Sequence, residues 1–142
     1  MVDINNDGWM DIYICRSASE NPDLRRNILY INNQDGTFTN RAKEYGVDDD
    51  GYGTNGYFND LDGDGDLELF VVNHPFNFVE TDGIHLTYNK KRELVADKDT
   101  SKRGESDRYY ENVNGKFVDR TYAAGLRTRA FGLSAILQDF NG

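Results

Sequence analysis

Short runs rich in Ile, Leu, Val, Tyr, Phe and Thr recur along this chain, separated by turns that contain glycine or asparagine. Such runs are typical of β-strands, and glycine-containing turns between them are the usual signal of a hairpin. We predict strands over residues 10–15, 28–32, 37–41, 56–59, 67–73, 109–112, 116–120 and 134–138. A single helical turn is predicted from Asn40, as its N-cap, to Gly46, which would end it.

The strand runs belong to a longer internal repeat. Residues 27–32 (Asn-Ile-Leu-Tyr-Ile-Asn) recur as residues 107–112 (Asp-Arg-Tyr-Tyr-Glu-Asn), and Tyr52-Gly53 recurs as Phe131-Gly132. Each unit reads as four short strands, and four-stranded units of this length that stack radially make a β-propeller. The sequence therefore predicts an all-β fold of propeller blades, each with four antiparallel strands.

The repeat divides the chain into units of about 1–50 and 51–129, with the start of a further unit at 130–142. An insertion over residues 75–106 interrupts the second unit and carries six of the sixteen basic residues. It is either a loop that contacts an anionic partner or a solvated, partly disordered excursion, and we favour the second interpretation.

An acidic loop occurs in both complete units, over residues 3–11 and 60–68. Oxygen-bearing side chains stand at loop positions 1, 3, 5 and 9, glycine stands at position 6, and position 7 would offer its backbone carbonyl. Ca²⁺ takes its ligands from such oxygens. We predict two complete calcium sites and a third, truncated one. The predicted ligands are Asp3, Asn5, Asp7, Trp9 and Asp11, then Asp60, Asp62, Asp64, Asp66 and Glu68, and finally Asp139 and Asn141.

The second loop places Asp60, Asp62 and Asp64 within five residues, with no basic residue next to them in sequence. Two like charges ~4 Å apart repel by roughly 4 kcal/mol at an effective dielectric constant of ~20. A bound divalent cation would turn this repulsion into attraction.

The loops have two other interpretations. Asp-Gly and Asn-Gly pairs are also common turn formers, so one such loop could be a plain turn. Two copies in matching contexts favour metal binding. An EF-hand fits less well, because its loop needs a Glu at position 12, where this chain has Ile14 and Val71.

The repeated motif resembles a known family. Tyr52-Gly53 followed by the loop at 60–65, and Phe131-Gly132 followed by Asp139-Phe140-Asn141-Gly142, look like the FG-GAP/VCBS repeat of the integrin-α type β-propeller. Residues 27–39 and 124–126 resemble bacterial VCBS-repeat proteins of the ASPIC/UnbV type. The resemblance implies Ca²⁺ in the inter-strand loops. Glu68 departs from the usual Asp, and the family pattern supplies no catalytic residues.

The length of 142 residues corresponds to about two to two and a half blades, whereas propellers have roughly four to eight. The chain is therefore expected to be a fragment of one propeller domain, or a protomer that completes a ring with other copies. Open blade edges predict self-association.

The net charge of −9 argues against a nucleic-acid partner. No membrane span is visible in the sequence. Cys15, the single cysteine, is expected to be a buried thiol. Calcium loops of modest affinity suit compartments rich in calcium, so a secreted, periplasmic or cell-surface location is expected.

The leading functional hypothesis is a non-enzymatic calcium-binding propeller module that presents loops to a protein or glycan ligand. The alternative is the propeller part of a carbohydrate-active enzyme, a lyase or hydrolase, in which His74, His85 and Tyr88 would converge as acid and base groups. A purely structural spacer is the third hypothesis.

Overall fold

The structure is a computed structural model that describes residues 1–75, 86–96, 106–126 and 133–138. These residues form short β-strands and two one-turn helices, which confirms the predicted all-β class. The helices are α1 (Pro22–Arg25) and α2 (Ala42–Tyr45). The strands are β1 (Ile12–Ile14), β2 (Ile28–Asn32), β3 (Phe38–Asn40), β4 (Gly53–Asn59), β5 (Glu68–Asn73), β6 (Leu86–Tyr88), β7 (Leu94–Ala96), β8 (Arg108–Val113) and β9 (Lys116–Asp119).

The strands pair antiparallel in sheets of blade-like order. The first sheet is β1-β2-β3, and the second is β4-β5-β8-β9. An isolated bridge between Val2 and Asp11 extends the first sheet, and the matching pair in the second sheet is Asn59 with Glu68. In each sheet, the residue just before the acidic loop is therefore paired with the last residue of that loop. This is the arrangement of a partial propeller with four antiparallel strands per blade.

Hydrogen bonds outside the strand ladders follow the sequence repeat. The Arg41 N–H donates to the Leu29 carbonyl over 2.8 Å, and the Arg120 N–H donates to the Tyr109 carbonyl over 2.9 Å. Two further equivalent bonds run from the N–H of Ala42 to Asn40 Oδ1 and from the N–H of Thr121 to Asp119 Oδ1. The two units thus share their turns as well as their strands.

The core lies between the two sheets. Leu29, Leu69 and Val71 are fully buried, because the middle strands β2 and β5 are covered by neighbours. At the junction, Phe58 meets Tyr13 edge-on with ring centroids 5.6 Å apart, and it meets Phe117 in the same way at 6.2 Å. The Phe58–Tyr13 pair joins β4 of the second sheet to β1 of the first, and edge-to-face contacts of this kind stabilise such packing. The Phe58–Phe117 pair lies within the second sheet.

Both one-turn helices differ from expectation. Gly46 ends α2 in the left-handed conformation, as predicted. Arg41, rather than Asn40, holds the N-cap position, although Asn40 Oδ1 still accepts the Ala42 N–H over 3.1 Å. Helix α1 was not predicted. Its signal is Asn21-Pro22, because Asn caps the first turn and Pro suits the first helical position.

Residues 134–138 are not a strand, contrary to the prediction. A strand needs a ladder of backbone bonds to a neighbour, and no described strand pairs with this segment. Its neighbour Leu133 instead receives a side-chain bond, because Asn55 Nδ2 donates to the Leu133 carbonyl over 2.7 Å.

The insertion contains a hairpin that the sequence interpretation missed. Strands β6 and β7 pair from Leu86 with Ala96 to Tyr88 with Leu94. The connecting turn is closed by Asn89, whose Oδ1 accepts the N–H of Lys91 and of Glu93. The rest of the insertion between 76 and 105 lies outside the described residues.

The end of α2 packs closely against the second sheet at Gly46. Its φ is +82°, and a Cβ added there would lie 2.6 Å from the Phe117 carbonyl oxygen in β9. Gly36 has nearly the same φ, +85°, but nothing lies within 4 Å of its Cβ position.

We therefore expect Gly46→Ala to lower the free energy of unfolding by about 3 kcal/mol, through left-handed strain plus the clash. The matched control Gly36→Ala carries the strain alone and should cost about 1 kcal/mol. Urea denaturation followed by circular dichroism measures both. Equal losses in the two variants would contradict close packing of α2 on β9.

Candidate metal centre

The second acidic loop is held at both ends by the β4–β5 ladder. Asn59 pairs with Glu68 across the base of the loop, so Asp60 and Glu68 are brought side by side. The Val2–Asp11 bridge does the same for the first loop. In each case strand pairing, rather than the loop itself, sets which residues meet.

Asp60 organises the backbone of the second loop. Its Oδ1 accepts the Gly63 N–H over 2.7 Å, and its Oδ2 accepts the Gly65 N–H over 3.1 Å. Both glycines have positive φ, +79° and +93°, which permits the tight wrap. Asp64 Oδ1 accepts the Asp66 N–H over 2.8 Å. The loop is therefore shaped by its own carboxylates.

Glu68 closes the second loop from inside the protein. Its side chain is buried, at 1% exposure, although it begins a strand next to an exposed loop. Oε2 accepts the Leu61 N–H over 2.7 Å, whereas Oε1 is buried and has no hydrogen-bond partner among the described residues. A buried carboxylate oxygen without a partner carries an energetic cost that a bound cation would offset.

Asp60, Asp62 and Glu68 form a cluster that could hold a metal ion. Each can offer one carboxylate oxygen, and these oxygens lie within 4.8 Å of one another. The pKa of Glu68 is raised above its ordinary value, first by desolvation on burial and also by the charges of Asp62 and Asp64, while the N–H groups of Leu61 and Asn112 act in the opposite direction. A bound cation would offset both the desolvation of the Glu68 charge and its repulsion from Asp62 and Asp64.

The first loop has a similar wrap. Asp3 Oδ1 accepts the Asp7 N–H over 3.1 Å, and Asp3 Oδ2 accepts the Gly8 N–H over 2.8 Å. Asp7 Oδ1 accepts the Trp9 N–H over 2.9 Å, and this bond is the main reason that the pKa of Asp7 is lowered. The Asn5 amide contacts Asp7 through both its oxygen and its nitrogen.

Asp11 closes the first loop differently from Glu68. It is fully buried, and each of its oxygens has its own donor: Oδ2 accepts the Ile4 N–H over 3.1 Å, and Oδ1 accepts the Asn32 N–H over 2.8 Å. Among the described residues, only the second loop brings three acidic side chains into a ligand cluster.

The remaining predicted ligands are placed as follows. Asp64 and Asn5 are exposed, Asp66 is half-buried, and Trp9 is 47% exposed at the seventh position of its loop. Asp139 and Asn141, the predicted ligands of the truncated third site, lie outside the described residues.

One asparagine in each hairpin supports a loop and was not singled out from the sequence. Asn32 Nδ2 donates to the Met10 carbonyl over 3.3 Å, and Asn112 Nδ2 donates to the Leu67 carbonyl over 3.4 Å. Met10 and Leu67 occupy the same loop position. The signal that could have found these residues is the recurrence of asparagine at the end of both repeated strands.

A buried polar cluster lies away from both loops. Asp49 Oδ1 accepts the Tyr110 hydroxyl over 3.2 Å, and Asp49 Oδ2 accepts Asn73 Nδ2 over 3.1 Å. Arg108 Nε lies 3.7 Å from Asp49 Oδ1. Desolvation raises the pKa of Asp49, while Asn73, Arg108 and Tyr110 counteract it. The cluster ties the segment between the units to the second sheet.

The histidines and Tyr88 give no shared cleft among the described residues. His74 is half-buried with Nδ1 2.9 Å from the Pro75 carbonyl oxygen, and Tyr88 is 70% exposed. His85 lies outside the described residues, so the predicted convergence of these groups stays a prediction. Cys15 is half-buried, and burial raises its pKa to about 12.

Comparison with family models gives a match over part of the chain. Residues 3–71, just under half of the chain, match the family model of the FG-GAP-like repeat. The matched stretch contains both complete acidic loops and supports the FG-GAP resemblance. No curated protein and no solved structure matches the chain. None of the helices in the described part of the chain is long and apolar enough to cross a membrane.

The Asp49 cluster generates a stability prediction. Tyr110→Phe removes one donor from a buried carboxylate and should lower the free energy of unfolding by about 1–2 kcal/mol. Because the folded-state pKa of Asp49 is already raised, the loss should be larger above that pKa, where the group is charged, than below it.

The control is Tyr109→Phe, a half-buried neighbour on the same strand, which should change stability by less than about 0.5 kcal/mol. Denaturant titrations of both variants over a pH series make the comparison. A Tyr110→Phe loss that grows as the pH falls would contradict the assigned role of Asp49.

Proposed function

We propose that this chain is a calcium-binding β-propeller repeat module that serves protein or glycan binding, or scaffolding, in a secreted, periplasmic or cell-surface protein. The observation that carries the proposal is the buried Glu68 carboxylate: one of its oxygens lies within 4.8 Å of carboxylate oxygens of Asp60 and Asp62, and its Oε1 has no hydrogen-bond partner among the described residues. The FG-GAP-like match over residues 3–71 supports the same interpretation.

The donor set favours Ca²⁺ over other metals. Every candidate ligand in the second loop is an oxygen, whereas structural zinc sites use Cys and His. Ca²⁺ accepts carboxylates, amides and backbone carbonyls in flexible arrangements, while Mg²⁺ demands a stricter octahedron and keeps more of its water. Asp60, Asp62, Asp64 and Glu68 would hold the ion, with the Asp66 carbonyl as a further ligand. The first loop would use Asp3, Asn5, Asp7, Asp11 and the Trp9 carbonyl.

The ion would act on structure rather than on a reaction. It would neutralise carboxylates gathered at the end of β4 and the start of β5, and so hold the strand junction in one conformation. Stability of this kind is what a module needs if it is to present loops to a ligand. The module is proposed to be non-enzymatic.

The partner is proposed to be a protein or a glycan, and a closer relationship to bacterial ASPIC/UnbV-type proteins is part of the same proposal. The extracellular location follows from the proposed calcium dependence, since such sites fill where calcium is abundant. Edge strands β3 and β9 offer unpaired backbone groups among the described residues, which supports self-association as a second use of the fold.

The proposal predicts that calcium stabilises the chain. At a calcium concentration of about 100 times its Kd, one filled site adds roughly 2.7 kcal/mol to the free energy of unfolding. Melting in excess calcium and in EGTA should therefore differ by several degrees, and calorimetric titration should show saturable binding. Glu68→Gln should reduce the calcium-dependent part of the stability.

The matched control is Glu20→Gln, the same change at an exposed side chain outside both loops. It should leave the calcium response intact. A wild-type melting temperature that is the same in calcium and in EGTA, after removal of metal has been verified by elemental analysis, would contradict the proposal.

A further inference from the structure

We propose that the two loops are unequal, and that the second loop takes up its cation before the first because Glu68 keeps a buried oxygen free for the ion, whereas both oxygens of Asp11 already accept backbone N–H groups. This inference rests on the proposed function and adds an order of filling to it. Two sites that fill at different calcium concentrations would let the module hold one ion over a wide range of calcium and two only at the highest levels.

The first ground for the inference is how each closing carboxylate is occupied. Both Asp11 oxygens accept backbone N–H groups, those of Ile4 and Asn32. Glu68 accepts the matching N–H of Leu61 through Oε2, but its Oε1 has no bond within the described structure. The longer side chain of Glu68 thus leaves one buried oxygen without a hydrogen bond, and a cation would supply the missing positive charge.

The second ground is the state of the other carboxylates. In the first loop, Asp7 Oδ2 receives Asn5 Nδ2 over 3.0 Å and Gln34 Nε2 over 3.3 Å, so neutral donors already satisfy it. In the second loop, the residue at the position of Asn5 is Asp62, a carboxylate with no N–H group to donate, and one of its oxygens lies within 4.8 Å of a Glu68 oxygen. Side-chain amides therefore offset carboxylate charge in the first loop, whereas the described hydrogen bonds of the second loop include no side-chain donor to a carboxylate.

The third ground is charge. The first loop carries Asp3, Asp7 and Asp11, and the second carries Asp60, Asp62, Asp64, Asp66 and Glu68. The affinity of oxygen-lined loops for Ca²⁺ depends on the number of charged ligands and on the rigidity of the site. The higher negative charge and the existing carboxylate cluster both favour the second loop.

The roles of Asp11 and Glu68 differ in a way that stability can measure. Asp11→Asn replaces an acceptor of two N–H groups with a side chain that offers one oxygen and one amide donor. It should destabilise the chain already in EGTA, because the N–H groups of Ile4 and Asn32 then share a weaker acceptor. Glu68→Gln should destabilise the chain in calcium, because the ion loses a charged ligand. In EGTA the loss should be much smaller, because the variant also removes a buried charge that is unfavourable without the ion.

The order of filling is tested by titration with terbium(III), a luminescent substitute for Ca²⁺. Trp9, the only tryptophan, lies in the first loop, so emission excited at the red edge of tryptophan absorption reports on that loop. The variant Asp7→Asn, which weakens the first loop, checks this assignment. Total binding is followed in parallel by calorimetry.

We expect the first equivalent of terbium to bind with little tryptophan-sensitised emission and the second equivalent to produce most of it. In Glu68→Gln the emission should rise from the first addition, because affinity at the second loop falls by about tenfold or more. Emission that rises with the first equivalent in the wild type would overturn the order of filling. No saturable binding of terbium or calcium at all would instead refute the proposed function.

Discussion

The structure depends on the way that strand pairing gathers like charges. The antiparallel contact between Asn59 and Glu68 fixes the base of the second loop, and it leaves Asp60, Asp62 and Glu68 with oxygens within 4.8 Å of one another. Such groups repel by a few kcal/mol per pair near a protein surface. Backbone N–H groups from the loop offset part of this repulsion, and the unbonded Glu68 oxygen marks the part that the protein alone leaves uncompensated.

An asparagine side chain joins each loop to the hairpin of its own unit. Asn32 and Asn112 bond to equivalent loop carbonyls, so the shape of the loop and the position of the hairpin depend on each other. A cation that fixes the loop would therefore also act on the sheet. The units are in turn joined to each other by the ring contact of Phe58 with Tyr13 and by the packing of Gly46 on Phe117.

Most of the fold could be predicted from the sequence, because hairpin strands such as β2 and the two loops are set by local residue patterns. Helix α1 also had a local signal, in Asn21-Pro22, that was overlooked. Other features depend on contacts distant in sequence. The Asp49 cluster joins residues up to 61 positions apart. Residues 48–50 are all acidic, and the sequence does not indicate which of the three is buried. The difference between Asp11 and Glu68 likewise depends on which N–H groups each carboxylate accepts in the folded chain, although the extra methylene of Glu68 is visible in the sequence.

Whether a divalent cation completes the acidic cluster of the second loop is measured by a crystal structure of the calcium-loaded chain, with anomalous scattering data to identify the ion. We expect an anomalous peak bonded to oxygens of Asp60, Asp62 and Glu68. Splayed carboxylates with no peak between them, in crystals grown with ample calcium, would contradict it.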